Sequence, residues 1–155
     1  MCLEGINDSK KLSEKKREQL YDVIMENAVA VGVGMSDVDI IEEVNILNAT
    51  KLAMKQAIEN LNIRPDYVLI DGNQMINIDI SGETVVSGDA KSESIAAASI
   101  IAKVTRDRLL LTFDKLYPEY GLAKHKGYGT KVHVEAIKQH GLTPIHRKSF
   151  CTKFV

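Results

Sequence analysis

Tyr67-Val68-Leu69-Ile70-Asp71-Gly72-Asn73 is the stretch on which the reading of this chain turns. Its run of apolar and aromatic residues suits a buried strand, and Gly72 permits tight turning directly after it. Asp71 then surfaces at the strand's carboxyl end, the place where open α/β sheets build their sites. Asp-Gly is also a common turn former, so a plain turn aspartate is the competing reading. Eighteen residues after Asp71 comes Asp89, within Gly88-Asp89-Ala90-Lys91-Ser92. That segment opens a helix so rich in small residues that another backbone must pack close to it. One carboxylate at a strand end and one at a helix mouth suit the holding of a hard cation. Short oxygen ligands of this kind favour Mg²⁺ or Mn²⁺. Asp89 also has a plainer reading, as a helix cap or a complement to the helix dipole. Ser92 is able to cap in its place.

Outward from this strand, helical and extended patterns interleave. Residues 1–12 are polar and loop-like. Ser13 caps a helix through about residue 27, with Leu20, Val23 and Ile24 on its buried stripe. Residues 28–35 read as a strand loosened by Gly32 and Gly34. Ser36-Asp37-Val38-Asp39 has the form of an N-cap with an acid three residues on, and a long helix follows to residue 61. Pro65 stops it and hands over to the strand at Asp71. Residues 76–80 and 84–86 are expected as short extended pieces around a Ser81-Gly82 turn. A helix from Ser92 to about residue 116 breaks before Pro118, and a glycine-punctuated loop covers 121–130. The last helix spans 131–139 and is ended by Gly141, with an irregular tail beyond. This interleaving predicts an α/β layered fold, although few strands are evident.

At 155 residues the chain suits a single domain over 1–155, long enough to bury a core, with a helical and basic region from about 118. Its 45% hydrophobic and 26% charged residues are ordinary for a soluble globular protein, which argues against disorder and fibrous classes. No apolar run approaches the ~20 residues needed to span a bilayer, and no signal peptide opens the chain. A cytoplasmic protein without membrane association is the expectation. Cys2 and Cys151 lack metal-ligand spacing and read as reduced thiols, with a bridge as the alternative. Net charge is only −1, but residues 103–155 carry eleven Lys or Arg against four acids, leaving −8 for the rest. All four histidines lie in that basic part. The split fits a polyanion laid along one face, or two solvated helix faces of opposite sign.

Other residues carry weaker signals. Asp107 lies mid-helix, four residues after Lys103. It reads as an ion pair on a solvated face, or as a carboxylate pointing toward the metal. Lys91, beside Asp89, is placed to touch a phosphate or neutralise the site. Ala123-Lys124-His125-Lys126-Gly127-Tyr128-Gly129-Thr130 combines cations, an aromatic and two glycines. Such a segment neutralises phosphates, lets a ligand approach the backbone and offers a ring for a sugar or base. A flexible polar loop is the alternative, and it explains poorly why Tyr128 is held between glycines. His146, within Pro144-Ile145-His146-Arg147-Lys148-Ser149-Phe150, reads equally as structural or functional. No Gly-x-Ser-x-Gly elbow, phosphate-cradling loop or zinc-spaced cysteine pair is present.

Taken together, these segments resemble ribonuclease HII, the family that cuts RNA in RNA–DNA hybrids and at single ribonucleotides embedded in DNA. The likeness runs through Asn7-Asp8-Ser9-Lys10-Lys11-Leu12-Ser13, Val68 to Asn73, Gly88 to Ser92, Ser94 to Asp107, His125 to Thr130 and Pro144 to Phe150. It implies a ribonuclease H-like layered fold with a mixed sheet flanked by helices. It implies hydrolysis giving 3′-hydroxyl and 5′-phosphate ends, supported by Mg²⁺ or Mn²⁺. Asp71 and Asp89 would be the third and fourth of four metal-holding carboxylates, with Asp107 an auxiliary acid. Tyr128 would stack at the ribonucleotide and help sense its 2′-hydroxyl. Lys10, Lys11, Lys91, Lys124 and Lys126 would contact phosphates.

One departure from the family pattern is large. Members open with a strand bearing adjacent Asp-Glu, then a Gly-Arg-Gly turn and a second strand, whereas this sequence begins Met1-Cys2-Leu3-Glu4-Gly5-Ile6. Glu4 does not replace the missing pair. A truncated sheet, weakened metal binding and impaired cleavage are therefore expected of this chain. An unpaired sheet edge would invite self-association. The rival functions are a non-catalytic hybrid-binding remnant and a structural fragment that oligomerises through its bare edge.

Overall fold

A computed structural model describes residues 11–154, which group into two compact units. The first comprises residues 11–35 and 51–104, the second 36–50 and 105–154. Two helices, α2 (Val38–Glu59) and α4 (Glu93–Leu116), contribute to both units.

In the first unit, α1 (Glu14–Asn27) starts where Ser13 accepts the Lys16 N–H at 3.1 Å, the cap expected of that serine. Leu20 and Ile24 are buried, one turn apart on the same face. They pack with Ile100, Ile101 and Val104 of α4, with Leu12, Tyr21, Val31 and Ala97 around them. Each large aliphatic side chain buried there contributes roughly 1.5–3 kcal/mol. Val23, placed on the stripe by the sequence pattern, is instead exposed.

β1 (Tyr67–Asp71) and β2 (Ser81–Val85) form a parallel pair in the register Tyr67↔Ser81 through Asp71↔Val85. Among the described residues the mixed sheet expected from the sequence consists of this parallel pair. Ser81-Gly82 is not a turn. It opens β2, paired with Tyr67 and Val68, where a Cβ on Gly82 would overlap the Val68 carbonyl oxygen of the neighbouring strand. Glycine here marks close backbone approach, which a turn-based reading of Ser-Gly mistakes for a bend.

Residues 28–35 are extended but pair with no strand among the described residues. Part of their backbone is satisfied by side chains of α2 and the turn after it. Gln56 Oε1 accepts the Met35 N–H, and Asn60 Nδ2 donates to the Val33 carbonyl, both at 2.7 Å. Gly32 and Gly34 lie so close to α2 that a Cβ on either would overlap the carbonyl of Ala57 or Ala53. These glycines do not loosen a strand; they admit a helix backbone.

The long helix expected to residue 61 is broken. Asn45 has φ 72° and ψ 169°, and its side chain accepts the Asn48 N–H at 3.0 Å. That conformation lies in a region ordinarily left to glycine, so it breaks the helix, and the Asn45 side chain then caps the segment that follows. At the entrance Asp37 caps α2, accepting the Ile40 N–H at 3.0 Å.

In the second unit, Thr130 caps α6 (Lys131–His140) by accepting the His133 N–H. The core there is Tyr120, Leu122, Ala136 and Ile137, flanked by Phe113, Tyr117, Leu142 and Ile145. The Tyr120 hydroxyl donates to the Gly141 carbonyl at 2.6 Å, so the buried phenol is satisfied. The tail is irregular through 142–147, as expected, but not beyond. It forms α7 (Lys148–Cys151) and a 3₁₀ turn (Thr152–Phe154), drawn in because Cys151 and Phe154 pack on this core.

Candidate functional site

Parallel pairing puts the carboxyl ends of β1 and β2 side by side. Asp71 is the last residue of β1, and the Gly72 N–H continues the ladder to the Val85 carbonyl at 3.0 Å. Beyond Val85 the chain turns through Ser87, held in a left-handed conformation at φ 54°, into the short helix α3 (Gly88–Lys91). Asp71 Oδ1 there accepts the Gly88 N–H at 2.8 Å. The hydrogen bond brings Asp71 to the residue adjoining Asp89. A Cβ on Gly88 would lie 2.6 Å from Ile95 Cδ1 and 3.2 Å from Asp71 Oδ1, so only glycine fits without displacement.

Ser92 links α3 to α4. Its N–H donates to the Gly88 carbonyl at 2.7 Å, and its hydroxyl oxygen accepts the Ile95 N–H at 3.3 Å. Ser92 therefore caps α4, and Asp89, half-buried in the first turn of α3, is not that cap. Asp71 is exposed despite the turn-forming glycine after it. Both acids offer oxygen donors only, which fits a hard divalent cation. Among the described residues no group of three or more His, Cys, Asp or Glu gathers as a metal site, so the fit rests on this pair. Lys91 is exposed at the end of α3, beside Asp89.

Asp107, on α4, belongs to the second unit and is 4% exposed, so it does not sit on a solvated face. Lys11 is exposed in the first unit, and Lys10 lies outside the described residues.

The basic loop is ordered by hydrogen bonds within it and by one from Arg106 on α4. α5 (Leu122–His125) ends at Lys126, which adopts φ 56°, and Gly127 follows at φ 86°. Arg106 Nη2 donates to the Lys126 carbonyl at 2.9 Å. The Gly127 N–H donates to His125 Nδ1 at 3.1 Å. On this fixed backbone the Tyr128 side chain is 66% exposed, and Gly129 faces open space. Lys124 is exposed and Lys126 half-buried.

A group of buried histidines has no local signature in the sequence. His125, His133 and His146 are each less than a tenth exposed. His133 and His146 are both held below the ordinary imidazole range, chiefly by burial. The clustering of every histidine in the basic part was the one available signal.

Comparison with known proteins gives a consistent picture. The family model described as Ribonuclease HII matches residues 1–153. A protein of Acetivibrio thermocellus named Ribonuclease HII is 58% identical over 153 residues, covering 99% of this chain and 60% of its own length. A Clostridioides difficile protein of the same name is 58% identical over 148 residues, covering 96% of this chain and 58% of its own length. The chain thus spans less than two thirds of the length of these curated relatives. The crystal structure of the ribonuclease H2 from Pyrococcus horikoshii OT3 superposes with a TM-score of 0.77 at 28% identity, over 97% of this chain and 80% of that one. This chain belongs to the ribonuclease HII family.

Proposed function

We propose that the chain takes part in endonucleolytic hydrolysis of the RNA strand of RNA–DNA hybrids and of single ribonucleotides embedded in DNA. The observation that carries this reading is the 2.8 Å hydrogen bond from Gly88 to Asp71, which gathers Asp71 and the Asp89 segment at the carboxyl edge of the sheet. Asp71 and Asp89 would hold the divalent ion, Mg²⁺ or Mn²⁺, through carboxylate oxygens. A bound ion of this kind supplies Lewis-acid polarisation of the phosphate and activation of water. Asp107 is proposed as an auxiliary acid. Tyr128 meets the sugar of the ribonucleotide, where a 2′-hydroxyl distinguishes RNA from DNA. Lys10, Lys11, Lys91, Lys124 and Lys126 are the proposed phosphate contacts, and the cytoplasm is the proposed compartment. No helix among the described residues is long and apolar enough to cross a membrane.

The exposed Tyr128 on a fixed backbone supports a second reading, a hybrid-binding chain that does not cut. A DNA duplex carrying one ribonucleotide, incubated with the chain and Mg²⁺, separates the two. Cleavage that vanishes in chelator and in Asp71→Asn supports hydrolysis. Binding without any Mg²⁺-dependent cleavage supports the second reading.

A further inference from the structure

The buried histidines of the second unit form a directed hydrogen-bond chain that ends on Tyr128. The Thr143 N–H donates to His146 Nδ1 at 3.0 Å, and the Thr143 hydroxyl lies 2.9 Å from the same nitrogen. His146 Nδ1 is therefore an acceptor, and its ring proton sits on Nε2. That Nε2 lies 3.0 Å from His133 Nε2, which must then accept. The proton of His133 is thereby placed on Nδ1, which faces the Tyr128 carbonyl oxygen at 2.9 Å, an obligate acceptor. Worked from either end, the assignment gives the same two neutral tautomers. His125 stacks on His133 with ring centroids 4.2 Å apart and planes within 13°. Its own tautomer is fixed as well, because Nε2 donates to the Tyr120 carbonyl and Nδ1 accepts from Gly127.

A buried polar chain with every member satisfied stiffens what it holds. Here it holds the backbone of a tyrosine whose ring is 66% exposed and adds nothing to the core. The same carbonyl also accepts the Thr130 N–H at 2.8 Å, tying the ring's backbone to the cap of α6. We infer that His146 and His133 are positioning residues that set Tyr128 for the ribose of a bound ribonucleotide. This inference rests on the proposed role of Tyr128 at the sugar.

The test compares binding, without divalent metal, of a DNA duplex bearing one ribonucleotide with binding of the same all-DNA duplex. His133→Leu removes the donor to Tyr128, whereas His133→Asn keeps an N–H at the Nδ1 position. His146→Asn keeps an acceptor for Thr143 but cuts the link to His133. Melting transitions confirm that each variant folds. His133→Leu is expected to lose roughly tenfold of the preference for the ribonucleotide, the order of one stacked aromatic contact, and His133→Asn to retain it. His146→Asn should fall between them, which keeps the test available if the leucine variant does not fold. Amide exchange of Thr130 should quicken in His133→Leu while that of Gly141, at the other end of α6, is unchanged. A merely structural role would move both. If the unmodified chain shows no preference, the role of Tyr128 at the sugar fails and this inference falls with it. If it shows a preference that His133→Leu keeps, the inference alone is overturned.

Discussion

Asp71 Oδ1 accepts the Gly88 backbone N–H at 2.8 Å, joining the end of β1 to the start of α3. The contact uses an oxygen that asparagine also possesses, so charge and geometry can be separated. Asp71→Asn should keep the hydrogen bond and melt within about 0.5 kcal/mol of the parent. Its Mn²⁺ affinity, read by calorimetry, should fall by at least about 10–100-fold, the loss seen even for groups that only support metal ligands. Asp89→Asn should behave alike. Unchanged Mn²⁺ binding in both variants would remove the proposed metal pair.

Gly88 is the second half of that junction. Alanine there would press on Ile95 Cδ1 at 2.6 Å and crowd Asp71 Oδ1 at 3.2 Å. Overpacking of this kind costs about 1–3 kcal/mol. Ile95→Val removes the nearer methyl, so the Gly88→Ala, Ile95→Val pair should recover part of the loss in urea unfolding. Strict additivity of the two changes would show that the strain lies elsewhere.

The buried histidines predict a pH dependence with a definite sign. Burial and neighbouring imidazoles hold His133 and His146 below the ordinary value of 6.5. The unfolded chain takes up protons near 6.5 while the fold resists them, so it binds more protons as acid is added. Stability should be full above about 6.5, fall as pH drops below it, and level once the lowered folded values are passed. Protonation would also leave the Thr143 N–H without its acceptor on His146. Thermal melts between neutral and acid pH should show this slope, and a His133→Asn, His146→Asn variant should show a flatter one.

Tyr128 and Lys124 give a prediction at the surface. Tyr128 is 66% exposed, so Tyr128→Ala should leave stability within about 0.5 kcal/mol while erasing preference for an embedded ribonucleotide. Lys124→Ala should instead weaken binding to every duplex and reduce the slope of log affinity against log salt by about 1. A Lys124 variant with an unaltered salt slope would remove that lysine from the phosphate contacts.

What the sequence disclosed, and what it hid, follows the range of the interactions. β1 was legible as a strand because Tyr67 to Ile70 is an uninterrupted apolar run, although of these only Ile70 is buried and Tyr67 and Leu69 are exposed. The capping of α1 was legible because Ser13 acts within one turn. The nearness of Asp71 and the Asp89 segment was legible as a motif, but its cause was not. That cause is a parallel register pairing residues fourteen positions apart, such as Asp71 with Val85. The histidine chain was hidden because Tyr128, His133, Thr143 and His146 meet only after α6 has packed. Asn45 was hidden because one positive φ inside an apolar helical pattern leaves no periodic trace.

The segment 28–35 shows the same limit most clearly, and it carries a further prediction. Alternating Gly32 and Gly34 reads as a weak strand, yet both glycines face the backbone of α2. At Gly34 a Cβ would overlap the Ala53 carbonyl and lie 2.6 Å from the Ala57 nitrogen, atoms that cannot rotate away. Gly34→Ala must therefore push the segment off α2, stretching the 2.7 Å hydrogen bond from the Met35 N–H to Gln56. A loss of about 3 kcal/mol or more is expected, at the upper end for overpacking. Gly129→Ala is the matched control, because nothing lies within 4 Å of its added methyl. That variant should be neutral or slightly stabilised by the stiffer unfolded chain, by up to about 1 kcal/mol. Equal urea midpoints for the two variants would show that close packing of 28–35 on α2 does not set the stability of the first unit.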